Sequence, residues 1–172
     1  QALAGKRILA FDFGASSGRA ILANYEDGKI RMEEIHRFSN DPVTICGTFY
    51  WDILRLFFEI KQGISKAVHQ GGFDAIGIDT WGVDFGLLDK KGRLLNNPVH
   101  YRDTRTTGIM EKVFEKVPQE ELYGETGIQL MRINTIFQLY SLVLNEPETL
   151  AQADKLLLIP DLFAFLLTGE QR

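Results

Sequence analysis

Arg7-Ile8-Leu9-Ala10-Phe11-Asp12-Phe13-Gly14-Ala15-Ser16-Ser17-Gly18-Arg19-Ala20-Ile21-Leu22-Ala23-Asn24-Tyr25 reads as two apolar runs, 7–13 and 19–25, around a turn of small residues from Gly14 to Gly18. Two β-rich runs closed this way form a hairpin. Asp27-Gly28 then supplies a turn pair that tolerates φ > 0, so 29–38 is predicted as a third antiparallel strand. Only afterwards does a helical period begin. Ile53, Phe57, Ile60, Ile64 and Ala67 or Val68 recur at spacings of three and four, with Asp52 as N-cap and Gly71-Gly72 as the stop. That face is predicted to pack on the sheet.

After the helix, 75–79 and 85–89 read as short strands, the second closed by the turn Lys90-Lys91-Gly92. From Thr106 the pattern turns helical over 106–117, 119–123 and 134–144, with Pro118 and Pro147 as breaks. A buried strand at 155–159 and a helix at 161–167, ended by Gly169, complete the chain. No repeat or linker interrupts it, so one α/β domain over residues 1–172 is predicted. A sheet that opens with two hairpins before its first crossover differs from a doubly wound sheet, where strands and helices alternate from the start. The order matches the ribonuclease-H-like half of an actin-type ATPase: a mixed sheet opening in β-hairpins, with helical additions after about residue 105. Fold analogy carries no function by itself.

At 172 residues, 45% apolar and 24% charged, the composition is that of a soluble globular domain with a sizeable core. The longest apolar run, Leu162 to Leu167, is far short of the roughly 18 residues of a bilayer span. Asp12 interrupts the first apolar stretch, which argues against a signal peptide, so the cytoplasm is the expected compartment and no membrane partner is expected. The single cysteine, Cys46, has no intrachain partner and is predicted to be a buried small apolar residue. The net charge of −4 is spread along the chain, which argues against a broad nucleic-acid footprint, so no nucleic-acid partner is expected, but leaves room for a local basic pocket. His36, His69 and His100 lack metal-ligand spacing; His36 is expected on a strand face and His69 near a helix end.

Two stretches carry chemistry. In Asp12-Phe13-Gly14-Ala15-Ser16-Ser17-Gly18-Arg19, amide N–H groups and hydroxyls of small residues can converge on a phosphate, with a carboxylate at the strand end to hold hydrated Mg²⁺. The spacing is one short of a Walker A loop, Arg19 replaces its Lys, and a strand follows instead of a helix. A plain Gly/Ser hairpin turn with a solvated aspartate is equally compatible with spacing alone. In Asp79-Thr80-Trp81-Gly82-Val83-Asp84, just beyond a strand, a Trp face can lie against sugar carbons, Gly82 admits a hydroxyl to the backbone, and Asp84 can accept two hydroxyl protons. Trp81 as a core aromatic is the alternative. Arg102 and Asp103, within Tyr101-Arg102-Asp103-Thr104-Arg105, can bind hydroxyls or brace their own loop. Gln129 and Asn134 stand in another turn, where Asn134 is also placed to be an N-cap.

The first loop resembles the first phosphate loop of the FGGY carbohydrate kinases. The likeness extends in order through 34–38, 76–85, 101–106, Thr126-Gly127-Ile128-Gln129 with Asn134-Thr135, and Ile159-Pro160-Asp161 with Leu167-Thr168-Gly169, from about Ile8 to Gly169. The resemblance implies an ATP-dependent kinase in which Gly14, Ala15, Ser16, Ser17, Gly18 and Arg19 bind phosphates and Asp12 binds Mg²⁺. Gly82, with Trp81 and Asp84 and, in second rank, Arg102 and Asp103, would bind a small-molecule ketose. The segments are most similar to those of members that phosphorylate the 1-hydroxyl of L-rhamnulose in rhamnose catabolism. A sister kinase acting on fuculose, xylulose or glycerol is the nearest alternative. A ribonuclease-H-like nuclease, with Asp12 and Asp79 sharing two metals, and a non-catalytic binding module are more distant ones. The family's Gly-x-His-Asp or Ser-His-Asp base motif does not occur in this chain. With Gln1 in place of an initiator Met and an end at Arg172, these residues are expected to be the N-terminal domain of a longer protein, inactive alone. The base, the second phosphate loop and the adenine pocket are expected outside them.

Overall fold

β1 (Lys6–Phe13) and β2 (Ser17–Glu26) pair antiparallel, with Phe13 opposite Gly18 and Ala10 opposite Ile21. They are shown by the computed structural model, which describes residues 5–170. Asp27 and Gly28 both take positive φ, 50° and 73°, as the predicted turn requires, and β3 (Lys29–Ser39) returns beside β2. β6 (Ala75–Asp79) joins β1 in parallel, giving a four-stranded sheet in the order β3-β2-β1-β6. The single domain expected over residues 1–172 resolves into two compact units, Gln1–Asp41 with Asp52–Gly82 and Ile159–Arg172, and Pro42–Trp51 with Val83–Leu158.

The core of the first unit follows from the two-residue period of its strands. Leu9, Phe11 and Phe13 of β1 and Ala20 and Leu22 of β2 are buried on one face. Helix α1 (Ile53–His69) packs there, started by Asp52, whose carboxylate accepts the Arg55 amide hydrogen at 3.1 Å. Its buried stripe is Ile53, Leu56, Ile60, Gly63 and Ala67. Leu56 and Gly63 therefore replace the predicted Phe57 and Ile64, and Val68 is exposed. The reason is steric: a Cβ on Gly63 would stand 2.7 Å from the Phe11 ring and 3.0 Å from Ala20 Cβ, so the helix rests on the sheet through a residue without a side chain. Helix α6 (Ile159–Thr168) adds Phe163, stacked on Phe13 with centroids 5.0 Å apart. It begins two residues before the predicted start, because Pro160 fits a first helical turn, where its missing N–H leaves no bond unmade.

In the second unit, β4 (Val43–Ile45) and β5 (Thr48–Tyr50) form a hairpin that the sequence reading did not anticipate. Cys46 and Gly47 make its turn at φ 50° and 85°, which puts Cys46 at the surface and corrects the expectation that it is buried. β7 (Phe85–Leu88) pairs with β8 (Lys155–Leu158). Only Leu157 of β8 is buried, so 155–159 is not the buried strand expected. The predicted helix 106–117 is interrupted. Thr104–Thr106 is a 3-10 turn, Gly108 adopts φ 71°, and α2 spans only Ile109–Phe114. α3 (Gln119–Thr126) runs three residues past its predicted end, to Gly127 at φ 62°. α4 (Thr135–Asn145) matches its prediction closely, while Pro147 opens a helix, α5 (Pro147–Gln152), instead of marking a break. Ile109, Val113 and Phe137 form the core between α2 and α4. Among the described residues, no helix is long and apolar enough to cross a membrane.

Gly63→Ala is expected to destabilise the protein by about 1–2 kcal/mol in urea denaturation, even though alanine is the better helix former by up to about 1 kcal/mol. A variant as stable as the parent would show that Phe11 can yield without cost.

Candidate functional site

In the first unit, the β1–β2 turn is held from behind. The Gly14 N–H donates to the Ser17 carbonyl at 2.8 Å, Asn40 Nδ2 donates to the Gly14 carbonyl at 2.9 Å, and the Asn40 N–H donates to the Ser16 carbonyl at 3.0 Å. Asn40 is buried, so two carbonyls of the turn are anchored by one fixed residue. The Ala15 and Ser16 amides and the Ser16 and Ser17 hydroxyls have no partner among the described residues, and Ala15 and Ser16 are exposed. A turn with anchored acceptors and unpaired donors has the chemistry of an anion nest. Gly18 belongs to its foundation: it is buried, and a Cβ there would collide with the Phe38 ring on β3. Gly14 has little room, with the Ser17 carbonyl oxygen 3.2 Å from where a Cβ would stand.

Asp12 and Arg19 face each other across the hairpin, and Arg19 Nε and Nη2 both donate to Asp12 Oδ2 at 2.9 Å. The pair is about half exposed, and Asp12 Oδ1 has no partner among the described residues. Glu34 lies 4.0 Å from Arg19 and is bonded by Arg37, whose hydrogen bonds hold the Glu34 carboxyl below the ordinary carboxylate range. The parallel register sets Asp79, at the end of β6, beside Asp12. Beyond it, Thr80 Oγ1 donates to the Trp81 carbonyl at 2.9 Å. Trp81 is half-buried and Gly82 exposed, with nothing within 4 Å of the position a Cβ would occupy.

The second unit opens with Val83, a β-branched residue at φ 72°, a region such side chains rarely enter. Its carbonyl accepts from Thr135 Oγ1 at 2.8 Å and Gln138 Nε2 at 3.3 Å. Asp84 follows, 1% exposed. Its Oδ2 accepts from the Trp51 indole N–H at 2.6 Å and the Tyr101 amide at 3.1 Å, and its Oδ1 from Gln138 Nε2 at 2.9 Å. Asp103 is also buried, accepting from the Phe49 amide at 2.7 Å and the Arg105 amide at 2.8 Å. Both carboxylates therefore brace loops. His100 stacks on Trp51 with centroids 3.9 Å apart and accepts the Arg102 amide hydrogen on Nδ1 at 3.0 Å. Burial, then the nearby Arg102 charge, lowers its pKa to about 4, so the ring is a neutral acceptor near pH 7. Arg102 is exposed, its guanidinium 5.4 Å from the Tyr101 ring centroid.

Asn134 occupies the N-cap position of α4, as expected, but its Oδ1 accepts the Met131 amide hydrogen at 2.7 Å and ties down the preceding turn. Gln129 is exposed. His36 bridges Glu59 at 2.7 Å and Lys66 at 2.8 Å, and His69 bonds the Ser65 carbonyl at the end of α1. Sequence reasoning missed Asn40, Trp51 and Gln138. Asn40 lies 26 residues from the carbonyl it anchors, and Gln138 lies 54 from Asp84, separations over which no local pattern reports.

Asp84→Ala would leave the Trp51 indole and Tyr101 amide hydrogens without this acceptor, each unmade bond costing about 1–3 kcal/mol. A loss of about 2–4 kcal/mol is expected in denaturation followed by tryptophan fluorescence. Unchanged stability would remove Asp84 from the framework of the unit.

With this geometry in view, comparison with known proteins is specific. A family model described as "FGGY family of carbohydrate kinases, N-terminal domain" matches residues 7–172. The chain is 45% identical over 166 residues to a rhamnulokinase of Bacteroides thetaiotaomicron, covering 96% of this chain and 34% of that protein. It is 48% identical over 165 residues to a rhamnulokinase of Halalkalibacterium halodurans, covering 95% and 35%. Among solved structures, a gluconate kinase from Lactobacillus acidophilus superposes with a TM-score of 0.84 at 21% identity, covering 98% of this chain and 34% of that one. A xylulose kinase from the same organism gives 0.82 at 22% identity, covering 96% and 34%. At such identities these two likenesses speak for the fold alone. The chain spans about a third of the length of the curated relatives it matches.

Proposed function

The chain belongs to the FGGY family of carbohydrate kinases, and from that premise we propose that it is the N-terminal domain of a kinase that transfers the γ-phosphoryl group of ATP to the 1-hydroxyl of L-rhamnulose. The products are L-rhamnulose 1-phosphate and ADP, in rhamnose catabolism, with the cytoplasm as the compartment. The observation that carries the reading is identity of 45% to 48% to rhamnulokinases over almost the whole chain. Family membership sets the nuclease reading aside.

Phosphoryl transfer asks a protein mainly for positioning and charge neutralisation. The donor set of the β1–β2 turn fits phosphate oxygens: the Ala15 and Ser16 amides and the Ser16 and Ser17 hydroxyls donate, Gly14 keeps the approach clear, and buried Gly18 and Asn40 fix the turn. Arg19 adds positive charge beside it. The free Oδ1 of Asp12, with Asp79 adjacent in register, fits the one or two carboxylates that hold hydrated Mg²⁺. When bound, that ion neutralises phosphate charge. On the acceptor side, Gly82 offers open backbone and Trp81 a face for sugar carbons. Asp84 and Asp103 act by holding their loops in place. As the O1–P bond forms and the bond from Pγ to ADP breaks, the O1 proton passes to a base proposed to lie outside residues 1–172.

The test is ADP release by the complete protein with MgATP, comparing L-rhamnulose with L-fuculose, D-xylulose and glycerol. Clear preference for rhamnulose is expected, and Gly82→Arg, whose side chain enters open space, is expected to raise the sugar KM or abolish turnover without unfolding the protein. Preference for another acceptor would keep the kinase and discard the substrate, and no sugar-dependent release would discard both. Asp12→Asn is expected to lower kcat roughly 100-fold at saturating sugar. A near-normal kcat would end the metal assignment.

A further inference from the structure

Glu34 and Arg37 stand three residues apart on β3, in the first unit, and in a regular strand such residues point to opposite faces. Here they meet: Arg37 Nε donates to Glu34 Oε1 at 2.8 Å, and Arg37 Nη2 donates to Glu34 Oε2. The cause is a bulge. Ala20 pairs with His36 but Ile21 pairs with Glu34, so Ile35 is left over and Glu34 is turned onto the face that carries Arg37. His36, between them, faces the other way and bonds Glu59 and Lys66 of α1.

The face that receives Glu34 is the one at the β1–β2 turn. Arg37 pairs with Arg19 across β2 and β3, Arg19 with Asp12 across the hairpin, and Asp12 with Asp79. Two cations and then two carboxylates thus cross the sheet in one row. Like charges directly opposite repel, and Glu34 offsets the repulsion of the two arginines, bonded to Arg37 and 4.0 Å from Arg19 Nη1. Asp12 and Glu34 therefore compete for Arg19. Arg37 decides the competition by occupying Glu34, and Arg19 stays with Asp12 at 2.9 Å. The side chains of Arg19, Glu34 and Arg37 are 44%, 36% and 55% exposed, so partners exchange at small cost.

We infer that Arg37 is a positioning residue for nucleotide binding: by engaging the bulged Glu34, it keeps Arg19 available to the phosphates of MgATP. This rests on the proposed reading of the turn. Without Arg37, Glu34 pulls on Arg19, Arg19 lies between two carboxylates, and the surroundings of the turn carry one more negative charge against a polyanion. Without Glu34, both effects reverse. With neither, the net charge is that of the native protein and Arg19 has lost its second competitor.

The experiment measures, by calorimetry in the complete protein, the Kd of the magnesium complex of a non-hydrolysable ATP analogue. Arg37→Gln is expected to raise Kd about three- to fivefold, Glu34→Gln to lower it about twofold, and the two together to return it within about twofold of wild type. Arg19→Gln is expected to raise Kd at least as much as Arg37→Gln, and thermal unfolding reports that each variant is folded. A pair that served only the stability of β3 would give both single variants the same loss of binding, with no rescue in the double variant. That pattern, or an Arg37→Gln protein that binds as wild type does while Arg19→Gln is impaired, would overturn the inference and leave the phosphate turn standing. An Arg19→Gln protein with unchanged Kd, or no nucleotide binding in wild type, would overturn the reading of the turn and this inference with it.

Discussion

The buried carboxylate of Asp84 is the constraint on which the second unit depends. At 1% exposure it sits where an unpaired polar or charged group would be very costly, and it is tolerated because three donors converge on it. Those donors belong to three segments distant in sequence: Trp51 after the β4–β5 hairpin, the Tyr101 amide in the loop before the 3-10 turn, and Gln138 in α4. Removing any donor weakens the network, but removing the acceptor leaves several buried donors without it at once. The same Gln138 bonds the Val83 and Ile133 carbonyls and accepts from Arg105 Nη2 at 2.7 Å. One amide side chain thus couples the start of β7, the approach to α4 and the loop of Arg105. Such a network does little for net stability compared with an apolar core, but it admits few alternative packings.

The first unit is governed by the opposite device, the absence of side chains. Gly63 lets α1 approach Phe11, and Gly18 lets Phe38 lie across β2. Gly18 and Ala20 point to the same face of β2, so the Phe38 ring and α1 both bear on the buried side of the hairpin and hold the turn it carries from that side. Asn40 completes the arrangement from the end of β3. A phosphate-sized anion meeting this turn would find its donors already placed, so little ordering cost would accompany binding.

How much of this was legible depends on the range over which each signal acts. The Asp27-Gly28 turn, the Asp52 cap, the Gly71-Gly72 stop and the succession of the first three strands were readable because each is a local rule obeyed within a few residues. The position of the turn at Asp12 to Arg19 was readable from small residues between two β runs. What failed was of two kinds. Cys46 in a φ > 0 turn, Gly108 cutting a helix and Pro147 opening one are cases where the chemistry of a single residue type admits opposite outcomes, and tertiary context chose. The bracing bonds of Asp84, and the choice between the two readings left open for Asp103, were illegible for a different reason: a carboxylate beside a sugar-like loop and a carboxylate bracing that loop have the same sequence, and the partners Trp51, Phe49 and Gln138 cannot be read from it.

The ion pair of Asp12 and Arg19 bears on how the proposed phosphate site could work. Both side chains are nearly half exposed, and pairs of that kind contribute only about 0–1 kcal/mol. In the proposed site Arg19 would leave Asp12 for a phosphate oxygen at small cost, and Asp12, once released, would present both oxygens beside Asp79. The exchange would be favourable only if anion and cation arrived together, since a phosphate alone would face two adjacent carboxylates and a cation alone would face the arginine. A site built this way would favour the magnesium complex of a nucleotide over either component, and it would do so through a contact that is weak in the resting protein.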